Sequence, residues 1–204
     1  MNNDIVAINR FGYEATRIMF SWDLGRRCNY DCSYCPAHRH NNYSPHASLE
    51  DLVYTFKKLS RYRQVMADIS SLDEFTVSIT GGEPASNPVF WKFCQEMNAI
   101  DPLVKVGVTT NGTIPKKHYE NIDQYVDTMT ISYHCEADDK LKKGVVDAIR
   151  YITKNTNTYV NVNVMFHSDP EYFQECLDLC FLLEDEDINF VPPIICASPG
   201  AAGK

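Results

Sequence analysis

The amino-acid sequence predicts an α/β fold in which parallel strands and outer helices form a partial TIM-type (β/α)6 barrel. Segments of alternating hydrophobicity are followed along the chain by segments with a helical repeat. One face of the predicted strands carries small or polar side chains, as expected where a sheet face meets water or a ligand. The 204 residues, 44% of them hydrophobic, are enough for one domain with a single core.

Six segments show the period of two that is typical of β-strands. They span residues 16–23, 75–80, 104–110, 128–134, 160–165 and 188–191. In the second segment, Thr76, Ser78 and Thr80 alternate with apolar residues. A curved, incompletely closed barrel with a polar interior fits this pattern better than a flat sheet that helices cover on both faces.

Helical patterns occupy the intervals between the strands. They are predicted to begin near Ser48, Asn87, Pro115, Asp138 and Asp169. At Ser48 the signal is a capping residue with a carboxylate three positions on, and a proline follows both Asn87 and Asp169 in the first turn. A closing helix after the last strand is not indicated. We therefore expect a single domain with an N-terminal extension (1–15), a barrel (16–193) and a frayed tail (194–204).

Charge and hydropathy narrow the function classes. The net charge is −8, from 19 basic and 27 acidic residues, which disfavours nucleic acid as the main ligand. No apolar run approaches the roughly 18 to 20 residues that a membrane span needs, and the N-terminus does not resemble a secretory signal. The sequence thus predicts a cytoplasmic protein that does not enter the membrane.

Three of the eight cysteines lie close together after the first strand. Cys28, Cys32 and Cys35 form a C-x3-C-x2-C pattern. Three thiolates on one loop can bind a metal centre and leave one coordination position open for substrate. His38 and His40 follow at once, so a closed Cys3His zinc site is the alternative at this point.

Two further motifs follow strand ends. Gly81-Gly82-Glu83-Pro84 comes after the second strand, where glycines allow a ligand to approach the backbone and a carboxylate can accept hydrogen bonds from an ammonium group. Thr110-Asn111-Gly112 comes after the third strand. In this order, the three motifs resemble those of the radical S-adenosylmethionine (radical SAM) enzymes, and the resemblance extends over residues 16–193.

This resemblance implies a 4Fe-4S cluster held by Cys28, Cys32 and Cys35, with S-adenosylmethionine (SAM) on the fourth iron. It implies an enzyme that cleaves SAM reductively to a 5′-deoxyadenosyl radical, which abstracts hydrogen from a substrate. The cofactor-binding residues that it implies lie in the cysteine segment, both glycine motifs and the fourth and fifth strands. They are Tyr34, whose neighbouring backbone would meet the adenine, Gly81, Gly82 and Glu83 at the methionine amino group, Asn111, and Ser132 and Asn163 at the ribose or carboxylate.

The resemblance also implies partners, namely a small-molecule or peptide substrate and an electron donor such as flavodoxin or ferredoxin. Two other classes remain open: a zinc-stabilised binding module, and a degenerate barrel that binds the nucleoside cofactor without chemistry. The other cysteines are interpreted as buried and the cluster as single, while a cavity role and a packing role are both open for His134 and Cys135. The histidines of the segment after Cys35 are interpreted as surface residues, with contact to the substrate as the alternative.

Overall fold

The computed structural model describes residues 17–69 and 74–195, in which strands and helices alternate. The strands are β1 (Arg17–Asp23), β2 (Glu74–Thr80), β3 (Val104–Thr110), β4 (Thr128–His134), β5 (Tyr159–Met165) and β6 (Phe190–Val191). The helices are α1 (Leu49–Ile69), α2 (Phe90–Ile100), α3 (Tyr119–Tyr125), α4 (Asp139–Asn155) and α5 (Pro170–Asp185). Single 3₁₀ turns at Pro84–Ser86 and Lys116–His118 precede α2 and α3.

The six strands form one parallel sheet in the order β1-β2-β3-β4-β5-β6. Each strand therefore pairs with the next one in sequence, which is the connectivity of a TIM-type barrel. Because all strands run the same way, their C-terminal ends lie at one edge of the sheet. The predicted partial barrel is confirmed, and this edge is where its site is expected.

The two faces of the sheet differ as the sequence predicts. On β2, Phe75, Val77 and Ile79 are at most 1% exposed, while the intervening residues are only partly buried. The buried face packs against the helices, with Phe56 of α1 and Phe93 of α2 fully buried in the core. The other face is the concave interior of the barrel. In the described segments no helix is long and apolar enough to cross a membrane.

Two predicted boundaries need correction. The second helix begins at Phe90 rather than Asn87, because a residue that precedes proline is disfavoured in the helical region; Asn87 has φ −72° and ψ 121° and accepts a hydrogen bond from the Val89 amide. The last strand is only Phe190–Val191, since Ile188 instead joins the core. The extension 1–15 and Cys196 lie outside the described residues, as does the tail from residue 196 onward.

Candidate active site at the C-terminal edge of the sheet

The cysteine loop, residues 24–47, leaves the end of β1 and is held mainly by backbone hydrogen bonds. The Cys28 amide donates to the Asn41 carbonyl at 2.8 Å, and the Asn41 amide donates to the Arg26 carbonyl at 2.9 Å. The Cys35 amide donates to the Cys32 carbonyl at 3.1 Å. These bonds close the loop on itself, so its three cysteines are fixed without a regular helix or strand.

All three cysteines line one cavity of about 250 Å³ at the C-terminal edge of the sheet. The cavity also includes the ends of β1 to β4 and the glycine turn after β2. Besides the cysteines, its walls are formed by Asp23, Tyr30, Tyr34, Arg39, His40, Thr80, Gly81, Gly82, Thr109, Thr110, Asn111, Ser132 and His134. Most of the predicted site residues are therefore brought together at one place.

The environment of the three thiols suits a metal cluster. Burial raises the pKa of Cys28, Cys32 and Cys35, that of Cys32 to about 12. A bare thiolate is therefore unfavourable there, whereas iron would supply the positive charge that deprotonates a ligating thiol. The Tyr30 amide donates to the Cys28 sulfur at 3.4 Å, which is a type of contact that stabilises cluster thiolates. The donor set thus fits an iron-sulfur cluster.

The geometry does not favour the zinc alternative. Among residues 17–69 and 74–195, no three His, Cys, Asp or Glu side chains are arranged to hold a single metal ion. His40, a candidate fourth ligand, instead has its Nε2 atom 2.8 Å from Asp31 Oδ1. In a 4Fe-4S cluster each thiolate binds a different iron, so the three sulfurs need not converge on one point.

The glycine turn after β2 packs directly against the cysteine loop. Gly82 has φ +51°, and a Cβ atom there would lie 2.2 Å from the Arg27 carbonyl oxygen. The Glu83 amide donates to this same oxygen at 2.8 Å. Only glycine allows this approach, because any larger residue would be strained and would push the loop away. The turn therefore fixes the loop immediately before Cys28.

The Glu83 side chain is only 2% exposed, and both of its oxygens accept hydrogen bonds from its own chain. Its Oε1 accepts hydrogen bonds from the Ala85 amide at 2.9 Å and from Thr110 Oγ1 at 2.7 Å, and its Oε2 accepts one from the Asn111 amide at 2.6 Å. Burial raises the pKa of Glu83, and these three bonds oppose the shift. Among the described residues, it lines a separate recess of about 10 Å³ rather than the main cavity.

Asn111 connects the end of β3 to the cysteine loop. Its Nδ2 donates to Asn29 Oδ1 at 2.9 Å, and its Oδ1 accepts from the Thr113 hydroxyl at 2.6 Å. Asn29 Nδ2 in turn donates to that hydroxyl oxygen at 2.9 Å. This small network holds the residue after Cys28 in place, and sequence reasoning missed Asn29 because nothing in its pattern indicates a partner more than 80 positions away.

The end of β4 contributes His134 to the cavity. Its Nδ1 lies 3.4 Å from the Cys32 sulfur and hydrogen-bonds the Tyr34 hydroxyl, and the Tyr34 ring stacks on the imidazole. Burial lowers the pKa of His134 to about 4. Of the two open roles at this strand end, the cavity role therefore applies to His134. Cys135 is 1% exposed and directs its sulfur toward the Met165 carbonyl, which is a packing position.

The remaining predicted contacts divide between the cavity and its surroundings. Ser132 lines the cavity, whereas Asn163 accepts a hydrogen bond from Asn161 and is not among the described cavity residues. His38 is exposed as interpreted, whereas His40 lines the cavity, so contact with a ligand remains open for His40. The cofactor contact of Asn163 stays a prediction.

Sequence reasoning missed two cavity residues that a simple signal could have found. Asp23 is the last residue of β1 and lies on the polar face of that strand, a position that directs a side chain to the C-terminal edge. Tyr30 lies between the first two cysteines, and its hydroxyl is buried with no hydrogen-bond partner in the described segments. Tyr30 lines the cavity, and a buried hydroxyl without a partner beside a cavity is the kind of group that a ligand can satisfy.

Comparison with known proteins agrees with this geometry. Residues 22–180 match the model of the Radical SAM superfamily. GTP 3′,8-cyclase from Staphylococcus epidermidis is 33% identical over 99 residues, and the corresponding enzyme from Staphylococcus haemolyticus is 31% identical over 96 residues. These matches cover 48% and 47% of this chain but 28% and 27% of the relatives. The chain thus spans little more than a quarter of their length.

The fold is also found among solved structures. SuiB of Streptococcus suis superposes with a TM-score of 0.61 at 17% identity, over 91% of this chain and 41% of SuiB. SuiB bound to S-adenosylmethionine gives a TM-score of 0.53 at 18% identity, over 89% of this chain and 41% of that one. At such identities the likeness shows the fold alone. The family match over residues 22–180 establishes that this chain belongs to the Radical SAM superfamily.

Proposed function

We propose that this chain forms the core of a radical SAM enzyme in which Cys28, Cys32 and Cys35 hold a 4Fe-4S cluster. The observation that carries the proposal is the shared cavity: three thiols from one loop, two glycines from the next strand end and polar residues from β3 and β4 surround the same space. When bound there, the cluster and SAM would supply reductive cleavage to a 5′-deoxyadenosyl radical and hydrogen abstraction from a substrate.

The residues of the chain bind and orient the cofactor in this proposal. The backbone of Gly81 and Gly82 faces the cavity and can approach the methionine part closely. The backbone near Tyr34 meets the adenine, and Ser132 provides a hydroxyl for the ribose or carboxylate. Asn163 remains a candidate for the same group, and Asn111 acts by holding the cysteine loop in position. The Tyr30 hydroxyl is available to a ligand as well.

The substrate is proposed to be a small molecule or a peptide. A small molecule is supported by the curated relatives, which are named for a reaction on GTP. A peptide is supported by the structure of SuiB bound to its precursor peptide SuiA, which superposes with a TM-score of 0.53 at 20% identity. The electron donor is proposed to be an acidic redox protein such as flavodoxin or ferredoxin. In support, the exposed Arg26, Arg27 and Arg39 lie on the cysteine loop of a chain whose net charge is −8.

Anaerobic reconstitution with iron and sulfide tests the proposal. The expected product is a brown protein with about four iron atoms per chain that forms 5′-deoxyadenosine from SAM when dithionite is added. A colourless protein with stoichiometric zinc would support the binding module and contradict the enzyme. A protein that holds the cluster and binds SAM, but forms no deoxyadenosine with dithionite or titanium(III) citrate, would support the non-catalytic barrel.

A further inference from the structure

The cavity contains a carboxylate that the motifs do not include. Asp23 ends β1, is exposed to the cavity and lies on the same wall as Gly81. Its Oδ1 accepts a hydrogen bond from the Gly25 amide at 2.8 Å. Within the described segments its Oδ2 has no hydrogen bond, and no basic side chain forms an ion pair with it. One carboxylate oxygen is thus free to accept a hydrogen bond from a ligand.

The backbone around Asp23 is shaped to keep this carboxylate in place. Gly81 has φ +96°, and a Cβ atom there would lie 2.0 Å from Asp23 Oδ1 and 2.9 Å from the Gly25 carbonyl oxygen. Any other residue at position 81 would therefore displace the carboxylate. The Gly25 amide holds one oxygen while the absent side chain of Gly81 makes room for the group, so the position of Asp23 is determined from two sides.

Glu83, the carboxylate that the motif predicts for the amino group, is in a different situation. Both of its oxygens already accept hydrogen bonds from the Ala85, Thr110 and Asn111 segments, and its side chain is 2% exposed. It lies outside the wall of the main cavity, so a ligand there could reach it only if the side chain turned out of the core and left these partners. Leaving such buried donors unpaired is unfavourable.

We propose that Asp23, rather than Glu83, is the carboxylate that accepts a hydrogen bond from the amino group of bound SAM, while Glu83 positions the glycine turn against Asn111. The inference rests on the proposed function, because it assumes that SAM occupies this cavity. It assigns a chemical role to Asp23 and changes the role of Glu83 from contact with the cofactor to support of the loop that surrounds it.

A thermodynamic cycle of binding affinities, in which both the protein and the ligand are altered, tests the proposal. The affinities of SAM and of an analogue with hydrogen in place of the amino group are measured by anaerobic equilibrium dialysis on reconstituted, unreduced protein. The preference for SAM over the analogue is expected to fall about tenfold in Asp23→Asn, the usual scale for a lost charge-assisted hydrogen bond at a partly hydrated site. Any loss of iron coordination by the analogue is common to all variants and cancels in the comparison.

Two other variants complete the test. Asp68→Asn, which changes an exposed aspartate on α1 outside the described cavity wall, is expected to leave the preference unchanged. Glu83→Gln is expected to keep the preference but to lower the melting temperature of the iron-free protein, because an amide nitrogen would face one of the amides that now donate to the carboxylate. Iron content is measured for every variant, and it should remain at the wild-type level in Asp23→Asn.

The outcomes separate the two proposals. If wild-type protein holds iron but does not bind SAM, the proposed function fails before Asp23 is tested. If wild-type protein prefers SAM and Asp23→Asn retains the full preference, the assignment of Asp23 is overturned. Loss of the preference in Glu83→Gln alone would return the role to the motif carboxylate, and the Asp23→Asn measurement decides the question even if Glu83→Gln does not fold.

Discussion

The cysteines of this chain occupy two contrasting environments. Cys28, Cys32 and Cys35 lie on a loop, are partly exposed and line one cavity. The four other described cysteines are buried in the core, with exposures of 0 to 7%: Cys94, Cys135, Cys176 and Cys180. The difference teaches that a place on a loop that lines the cavity, and not closeness to a strand end or to another cysteine alone, indicates whether a cysteine can serve a ligand.

The buried group shows why spacing alone would mislead. Cys176 and Cys180 are four residues apart on α5, which is a spacing that can bind a metal, but both sulfurs lie in the core. Cys135 and Cys176 direct their sulfurs to the same acceptor, the Met165 carbonyl, at 3.7 and 3.4 Å. These thiols behave as small apolar groups with weak donors. Iron binding and core packing should therefore respond to different substitutions.

The largest expected effect is the loss of iron from the loop variants. Cys28→Ala, Cys32→Ala and Cys35→Ala should each reduce the iron content of reconstituted protein from about four atoms per chain to almost none, because two thiolates do not retain the cluster. Iron and sulfide analysis checks this, with circular dichroism to show that the fold persists. The matched control is Cys176→Ala, which should retain full iron. A second iron-sulfur signal in the triple loop variant would mean that the buried cysteines also bind iron.

A smaller effect is expected from the backbone that supports the loop. Gly82→Ala places a Cβ atom 2.2 Å from the Arg27 carbonyl oxygen at a position with φ +51°. The strain should cost about 1 to 3 kcal/mol of stability and shift the segment before Cys28, so that iron is bound less completely. Denaturant unfolding of the iron-free protein and iron analysis measure the two consequences.

Gly144 provides the control for this substitution. It lies on the exposed face of α4, where a Cβ atom would meet no neighbouring group within 4 Å, so Gly144→Ala should increase stability by about 0.5 to 1 kcal/mol and leave iron binding unchanged. Equal effects of the two substitutions would show that the glycine turn does not support the cysteine loop in the way that its contacts indicate.

Much of the fold could be predicted because its signals are local. The alternation on β2 and β4 records which side chains face the helices, and β3 and β4 begin and end at the predicted residues. Helix starts were less exact where a proline intervened, as at Asn87. The length of the last strand was overestimated. Ile188 is apolar because its side chain is buried in the core, and it lies outside the strand.

The candidate site was only partly predictable, because its contacts join distant segments. The motifs identified the three cysteines and the two glycines, which line the cavity. They did not indicate that the Glu83 carboxylate would accept a hydrogen bond from the Asn111 amide, next to the end of β3. Nor did they indicate that Asn111 would donate a hydrogen bond to Asn29. Such hydrogen bonds depend on how the loops at neighbouring strand ends pack against each other. The alternation of apolar and polar residues within a strand does not specify this packing.

The smallest expected effect concerns a cysteine far from the cavity. Cys94 on α2 is fully buried, and burial raises the pKa of its thiol to about 12, as expected for a sulfur among apolar neighbours. Cys94→Ala removes only the sulfur, so the lost contacts and the small void should cost about 1 to 2 kcal/mol, with iron content and SAM affinity as in the wild type. Denaturant unfolding of the iron-free protein gives the first quantity, and analysis of the reconstituted protein gives the others. A sulfur that contributes only to core packing should not affect iron binding. A loss of iron in Cys94→Ala with little change in stability would therefore contradict the distinction between loop and core cysteines.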